Sequence, residues 1–261
     1  MCAIILEGIS KRYSKNKKAL GYFFNNKNNT IKTEDNQALN NINLHVKPGE
    51  FFGLIGPNGA GKTTLISILS GLTYPTTGNA KIYGFDIIKE YKKTRRLLGI
   101  VPQELIYDPF FTVRETLKLQ SGYFGLRKND DWIDEILFNL SLAEKSEHNM
   151  RSLSGGMKRR VLIAQALVHK PPIIILDEPT AGVDIELRHS MWNFISKLNK
   201  KGHTILLTTH YLEEAENLCE RIAVLKSGRL VALDYTKDLL SKIGCQNLEE
   251  AFVKITNKKD F

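Results

Sequence analysis

Nine residues in the first quarter of the chain decide its fold: Gly56-Pro57-Asn58-Gly59-Ala60-Gly61-Lys62-Thr63-Thr64. They fit the phosphate-loop pattern of a glycine, four residues, a glycine, a lysine and a hydroxyl residue. The glycines let the backbone turn its N–H groups toward phosphate oxygens, and the helix that follows offers its positive N-terminal end. Lys62 then reaches the β and γ phosphates, and the Thr63 hydroxyl is a ligand of Mg²⁺. The sequence therefore predicts a nucleotide site.

Around this loop, short apolar runs alternate with segments of helical period, which is typical of an α/β fold with a largely parallel sheet. The predicted strands cover residues 4–8, 42–46, 51–55, 97–101, 173–177, 204–208 and 221–225, and the predicted helices cover residues 62–70, 113–121, 132–140, 155–168, 185–199 and 212–219. Two helical segments follow each other where the strand pattern stops. We therefore expect one domain, residues 1–261, with a helical subdomain at about 102–152 and a C-terminal tail at about 234–261.

The net charge of +9 is unevenly distributed, because residues 11–37 supply +5 of it. Residues 14–37 are rich in Asn and Lys and are predicted to form a flexible loop. Two interpretations stay open for this loop. It is a solvated insertion, or its basic side chains meet anionic lipid headgroups.

Several protein classes are disfavoured by composition. The apolar runs are far shorter than the roughly 20 residues that a bilayer-spanning helix requires. The first residues lack the pattern of a secretory signal. Cys2, Cys219 and Cys245 are few and far apart, which argues against a disulfide framework and a zinc cluster. We expect a cytoplasmic chain that does not cross a membrane by itself.

A second motif is an apolar run, residues 173–176, that ends in Asp177 and Glu178. A carboxylate such as Asp177 suits Mg²⁺, which prefers oxygen ligands. Glu178 is then placed to orient or deprotonate an attacking water. Alone, the pattern also fits a strand followed by an acidic turn, but the upstream phosphate loop favours a nucleotide site.

A third motif separates this chain from other phosphate-loop proteins: Leu153-Ser154-Gly155-Gly156-Met157. Ser154 has the character of an N-cap, and the two glycines expose backbone amides at the start of a helix. Alone, this motif also fits an ordinary helix start. With the phosphate loop, it predicts a second anion-binding turn in the same chain.

The order of these motifs resembles the ATP-binding cassette (ABC) family over nearly the whole chain, apart from residues 16–36. Further matches are Gln103 after Val101 and Pro102, Asp184, and His210. The resemblance implies a phosphate-loop NTPase cassette with a RecA-like core, an antiparallel β subdomain and an inserted α-helical subdomain. It also implies ATP and Mg²⁺ as ligands.

In that family two cassettes face each other head to tail, so the resemblance implies a homodimer. Each ATP would lie between residues 56–64 of one copy and Ser154, Gly155 and Gly156 of the other. Gln103 would contact Mg²⁺ or the lytic water, His210 would bond the γ-phosphate and orient Glu178, and Asp184 would bridge the two sites. On its own, His210 would be an ordinary histidine at a strand end.

Residues 177–184, 210–216 and 248–253 most resemble the ATPases of ABC-2 type exporters, including the bacterial YadG-type group. This implies a subunit that is peripheral to the cytoplasmic face of the inner (cell) membrane and works with a separately encoded integral-membrane permease. An alternative is a soluble cassette acting on nucleic acid or ribosomes, but the coiled coil, paired cassettes or zinc cysteines of such proteins are not seen. A non-hydrolysing cassette would be expected to lose Lys62, Glu178 or His210.

Three positions depart from the family pattern. Met157 replaces a common glutamine, as in this exporter group, whereas Gln165 replaces a usual arginine without explanation. Tyr13 stands where the family places a ring that stacks on adenine, but residues 14–37 separate it from the following strand. If the loop bulges outward, Tyr13 keeps that role. Otherwise Tyr22, Phe23 or Phe24 substitutes for it, or the stack is lost.

Overall fold

The computed structural model describes residues 2–14, 36–180, 183 and 185–257. Within them the chain forms ten strands and nine α-helices, in this order: β1 Ile4–Tyr13, β2 Asn36–Val46, β3 Phe51–Ile55, α1 Lys62–Leu69, β4 Thr77–Ile82, β5 Phe85–Asp86, α2 Tyr91–Arg96, β6 Leu98–Val101, α3 Val113–Tyr123, α4 Asp130–Asn139, α5 Gly155–Leu167, β7 Ile173–Asp177, α6 Ile185–Lys200, β8 Thr204–Thr209, α7 Leu212–Leu218, β9 Arg221–Lys226, β10 Arg229–Tyr235, α8 Thr236–Ile243 and α9 Leu248–Asn257.

The larger sheet has six strands in the order β10-β9-β3-β8-β7-β6. All its neighbours pair in parallel except β10, which is antiparallel to β9. Every residue of β3, β7 and β8 is buried, as expected for parallel strands covered on both faces. The short apolar runs of the sequence therefore form the centre of the molecule.

The smaller sheet has four antiparallel strands in the order β2-β1-β4-β5. Its inner side chains share one core cluster with α1 and with one face of the larger sheet, as Ile4, Leu65 and Ile175 illustrate. The other face of the larger sheet packs with α3, α4, α5 and α6 in a second cluster. The helix after the phosphate loop thus lies between the two sheets.

Helices α3 and α4 follow β6 and pack against α5. A capping box between Thr112 and Glu115 begins α3, which satisfies two otherwise unpaired backbone donors. The Trp132 indole of α4 donates a hydrogen bond of 2.9 Å to the carbonyl oxygen of Leu167 at the end of α5. These contacts fasten the helices of residues 102–152 to the helix that starts at the Ser154 motif.

All predicted strands and helices are present, but six elements were not predicted: β4, β5, β10, α2, α8 and α9. The predicted loop of residues 14–37 is too long at its end, because Asn36 and Gln37 belong to β2 and pair with Tyr13 and Arg12. Residues 15–35, including Tyr22, Phe23 and Phe24, lie outside the described residues. In the part of the chain that is described, no helix has the length and apolar character needed to span a bilayer.

Candidate nucleotide-binding and hydrolysis site

The predicted site residues lie at one edge of the larger sheet, where the parallel strands end. Ile55 of β3 pairs with Thr209 of β8, and Asp177 of β7 pairs with Thr208. Because the carboxyl ends of parallel strands share an edge, the phosphate loop, Glu178 and His210 emerge side by side. Open α/β sheets bind ligands at this edge.

The phosphate loop depends on glycine at specific positions. Gly61 has a φ of +109°, and a Cβ atom there would lie 2.6 Å from the carbonyl oxygen of Ala38. Gly61 is also the N-cap of α1, whose first turn has neither a capping side chain nor an acidic residue. The backbone amides of that turn are therefore left for an anionic ligand.

Lys62 is the first residue of α1 and is 6% exposed. Its Nζ donates to the carbonyl oxygens of Gly56, at 2.7 Å, and Pro57, at 3.3 Å, which turns the side chain back over the loop. Burial lowers the pKa of Lys62, while the charges of Glu178 and Asp177 oppose that shift. The ammonium group is thus held where phosphate oxygens would meet it.

Asp177 and Thr63 form a pair of oxygen ligands suited to Mg²⁺. Asp177 is 3% exposed, and the hydroxyl of Thr208 donates a hydrogen bond to its carboxylate. Burial raises the pKa of Asp177, while the hydroxyls of Thr208 and Thr63 act to lower it. Among the described residues no group of three or more His, Cys, Asp or Glu side chains is suited to a metal. Mg²⁺ is usually held by one or two carboxylates together with substrate phosphates and water, and Asp177 is a carboxylate placed for that role.

Glu178 is the focus of the polar contacts at this edge. Its Oε2 accepts a hydrogen bond of 3.0 Å from Gln103 Nε2 and lies 3.2 Å from His210 Nδ1. Its backbone has a φ of +50°, a conformation that a non-glycine residue adopts at a cost and that is common at functional sites. The structure thus brings Gln103, Glu178 and His210 together, and their roles in hydrolysis stay a prediction.

Arg159 of α5 is a residue that the motif analysis missed. Arg159 is 4% exposed, and its guanidinium donates to the carbonyl oxygens of Pro102 and Gln103, both at 2.6 Å. Burial lowers its pKa, and the charges of Asp177 and Glu178 counteract the shift. A second missed residue is Glu214, a buried carboxylate on α7. Neither residue had a local sequence signal, because burial and hydrogen bonding are visible only in the folded chain.

The Ser154 motif forms a helix start of its own. Ser154 is the N-cap of α5, and its hydroxyl accepts a hydrogen bond of 3.3 Å from the N–H of Met157. Ser154 and Gly155 are exposed, and Gly155 has open space where a Cβ atom would be. Across the described residues, no hydrogen bond joins this turn to the phosphate loop. Asp184 lies outside the described residues.

Tyr13 ends β1 opposite Asn36 of β2, and its side chain is 42% exposed. The Nζ of Lys11 lies 4.9 Å from the centre of its ring. Two residues beyond Asn36, the carbonyl of Ala38 contacts the phosphate loop at Gly61. The chain therefore leaves the smaller sheet after Tyr13 and rejoins it directly opposite, at Asn36. Tyr13 thus stays at the end of β1, near the phosphate loop.

Residues 39–181 match the family model described as ABC transporter. The chain is 43% identical over 219 residues to Nod factor export ATP-binding protein I of Burkholderia thailandensis, covering 83% of this chain and 72% of that protein. It is 41% identical over 218 residues to the protein of the same name from Rhizobium etli, covering 82% and 69%.

Two solved structures show the same fold. The chain superposes on a structure described as the ATP binding subunit of an ABC transporter with a TM-score of 0.82 and 28% identity, covering 97% of this chain and 99% of the other. It superposes on the dimeric structure of MJ0796, a bacterial ABC transporter cassette, with a TM-score of 0.76 and 30% identity, covering 89% and 98%. A further structure of MJ0796 contains ADP and Pi after hydrolysis.

Proposed function

The chain belongs to the ATPase subunits of ABC transporters, and from that premise we propose that it powers export through a separately encoded membrane permease. Two relatives with over 40% identity are named as export ATP-binding proteins, which supports the direction of transport. The subunit would bind the permease at the cytoplasmic face of the cell membrane. Action on nucleic acid is not favoured by these relatives.

We assign the hydrolytic step to Glu178. Its contacts with Gln103 and His210 both use Oε2, so Oε1 is the oxygen that takes a proton from the attacking water. Gln103 holds the carboxylate from one side, and His210 holds it from the other while its second ring nitrogen meets the γ-phosphate. Mg²⁺, held by Thr63 and Asp177, would neutralise charge that develops on the phosphate oxygens.

The observation that supports the dimeric site is that one chain contains two separate helix starts suited to an anionic ligand. The first is at Gly61 and Lys62, and the second is at Ser154 and Gly155. Two copies that face each other would bring the second start of one to the phosphates bound by the first start of the other. ATP would then bind the two copies together, and its hydrolysis would release them.

We also propose a docking surface for the permease on the side chains that follow Gln103. Leu105, Ile106, Phe110, Phe111, Leu119 and Tyr123 are large apolar residues that are at least one-third exposed, and we call them the apolar patch. A groove of about 500 Å³ lies between Phe111, Leu119 and Tyr123. Exposed apolar groups of this kind are typical of protein interfaces. The patch begins two residues after Gln103, and the Gln103 side chain donates to Glu178, so movement of the permease would reach Glu178.

The decisive experiment is Glu178→Gln, which keeps the shape of the side chain and removes the base. Phosphate release should fall by about 10²- to 10⁴-fold, while binding of ATP is retained and the ATP-bound protein accumulates as a dimer in light scattering. Lys62→Ala is the matched variant, because loss of the ammonium should weaken ATP binding itself and leave a monomer. Turnover by Glu178→Gln at the wild-type rate would refute the assignment.

The partner is tested by isolation of the tagged protein from detergent-solubilised membranes. A co-purifying protein with several transmembrane helices supports the transporter role, and its recovery should fall when Phe110 and Tyr123 are changed to Ser. Recovery of ribosomes or DNA instead would overturn the proposal.

A further inference from the structure

Glu214 is a buried carboxylate that none of the assigned steps uses. It lies on α7 and is 1% exposed. Its Oε1 accepts hydrogen bonds from the Thr180 hydroxyl and, at 3.0 Å, from the Trp192 indole. Its Oε2 accepts one of 2.5 Å from the Thr209 hydroxyl. A buried charge is tolerated when donors of this number surround it.

The donors belong to different segments of the site. Thr180 is two residues after Glu178, Thr209 directly precedes His210, and Trp192 lies on α6. One carboxylate therefore joins the segment that follows β7, the end of β8 and helix α6 to one another. Thr180 and Thr209, which this carboxylate holds, are close in sequence to Glu178, the proposed base, and to His210, which contacts Glu178.

A second contact chain supports the same histidine from the same helices. The ring centre of His210 lies 4.1 Å from that of Tyr211, and the guanidinium of Arg188 on α6 lies 4.1 Å from the centre of the Tyr211 ring. The Tyr211 N–H also donates to the Thr209 hydroxyl at 2.9 Å. Thr209 thus receives one hydrogen bond from Tyr211 and donates another to Glu214, which fixes the turn that contains His210.

We propose that Glu214 is a positioning residue for ATP hydrolysis, which sets the separation between Glu178 and His210 through Thr180 and Thr209. This inference rests on the proposed function of Glu178. An ionised carboxylate offers only acceptors, so it can receive all three donors at once. A small displacement of a catalytic group is costly, since about 1 Å of misplacement can lower a rate by about 10²-fold.

The test compares Glu214→Gln with Glu213→Gln, its exposed neighbour on the same helix. The amide of Gln at position 214 presents N–H donors to residues that are themselves donors. We expect kcat for ATP hydrolysis to fall by about 10- to 100-fold, with KM for ATP within about twofold of wild type, because the phosphate loop lies outside this network. Glu213→Gln should match wild type. Equal kcat values in the two variants would overturn the proposal.

Two further measurements separate positioning from a loss of folding. Thr209→Val removes the hydroxyl at nearly constant shape and should lower kcat, whereas Thr209→Ser keeps the hydroxyl and should retain it. Glu214→Gln combined with His210→Ala should cost little more than His210→Ala alone, because residues that act as a unit are not additive. Full additivity, or equal activity of the Val and Ser variants, would contradict the proposal.

These outcomes are distinguishable from a failure of the proposed function. If Glu178→Gln hydrolyses ATP normally, the assigned base is wrong. If Glu178→Gln is inactive but Glu214→Gln behaves like Glu213→Gln, the base stands and the role of Glu214 alone is refuted.

Discussion

Glu178 shows how the site is specified at the level of one residue. Its positive φ costs about 1–3 kcal/mol for a non-glycine residue. Its backbone N–H donates a hydrogen bond of 3.0 Å to the carbonyl oxygen of Thr208, which holds that conformation. The strained turn points the carboxylate toward Gln103 and His210 rather than along β7. A sequence motif names such a residue but does not show the backbone conformation that aims it.

Two glycines of the phosphate loop give a matched test of local packing. Both have positive φ, but a Cβ atom at Gly61 would lie 2.6 Å from the Ala38 oxygen and 2.8 Å from Leu39 Cδ2, whereas nothing lies within 4 Å at Gly59. Gly59→Ala should therefore lower the free energy of unfolding by about 1–2 kcal/mol from conformation alone. Gly61→Ala should cost more and also weaken ATP binding. Urea unfolding and nucleotide titration of the two variants measure this, and equal losses would contradict it.

The candidate site residues could be picked out from the sequence where a motif follows the end of a predicted strand. Lys62, Gln103, Asp177, Glu178 and His210 meet because their strands are parallel neighbours. Arg159 and Glu214 were not singled out, because their importance lies in burial and hydrogen bonding that a local pattern does not reveal. Glu214 stands in an acidic stretch that is equally typical of a solvated first turn of a helix.

Among the helices and strands, those that could be predicted have apolar residues at a regular helical or strand spacing. Helices α8 and α9 do have an apolar face, with Leu239, Leu248 and Ala251 buried, and were missed all the same. The other four missed elements lack that signal: α2 buries only Thr94, and β4 begins with three exposed residues. Strand β10 alternates between exposed and half-buried residues at the edge of the sheet. Their positions are set by neighbours already folded, so tertiary contacts rather than local sequence decide them.

The junction of α5 with β6 should make stability sensitive to mild acid. His169 Nε2 lies 3.0 Å from the carbonyl oxygen of Leu98, and its ring is stacked on Phe124 at 3.7 Å. Burial lowers the pKa of His169 below its ordinary value of 6.5. The unfolded chain then binds a proton more readily than the folded chain, so unfolding free energy is lost as pH falls below 6.5.

Unfolding in urea at about pH 7.5 and about pH 5.5 measures this linkage. Wild type should lose more unfolding free energy between the two conditions than His169→Gln. His148→Gln, at an exposed position, should behave as wild type. An equal loss in wild type and His169→Gln would show that another group governs the acid sensitivity.

At the scale of the whole molecule, both sheets contact the phosphate loop. Gly61 lies against Ala38 of the smaller sheet, and the N–H of Gly228, in the turn before β10, donates to the carbonyl oxygen of Ala60 at 2.9 Å. The fold class was predictable because the motifs occur in the family order. The contacts of the two sheets with the phosphate loop were not, since they are made by backbone groups that no side-chain pattern identifies.

If each nucleotide site is built from two copies, two inactive variants should complement each other. Lys62→Ala lacks a working phosphate loop but has an intact Ser154 turn, and Ser154→Arg has the reverse defect. In a mixed dimer, one of the two sites has both intact parts. A mixture should therefore hydrolyse ATP faster than either variant alone, as measured by phosphate release. No gain on mixing, with dimers present, would argue against a shared site.

The pairing of Tyr13 with Asn36 also has a consequence for how this gene can change. Because both ends of the intervening segment meet across one pair of strands, its length is decoupled from the path of the chain through the sheet. Doubling the length of such a connection adds only about 0.6 kcal/mol of closure entropy. The position is therefore a site that tolerates insertions. A binding epitope can arise there in evolution, or a label can be inserted there in the laboratory, without a change to the rest of the ATPase.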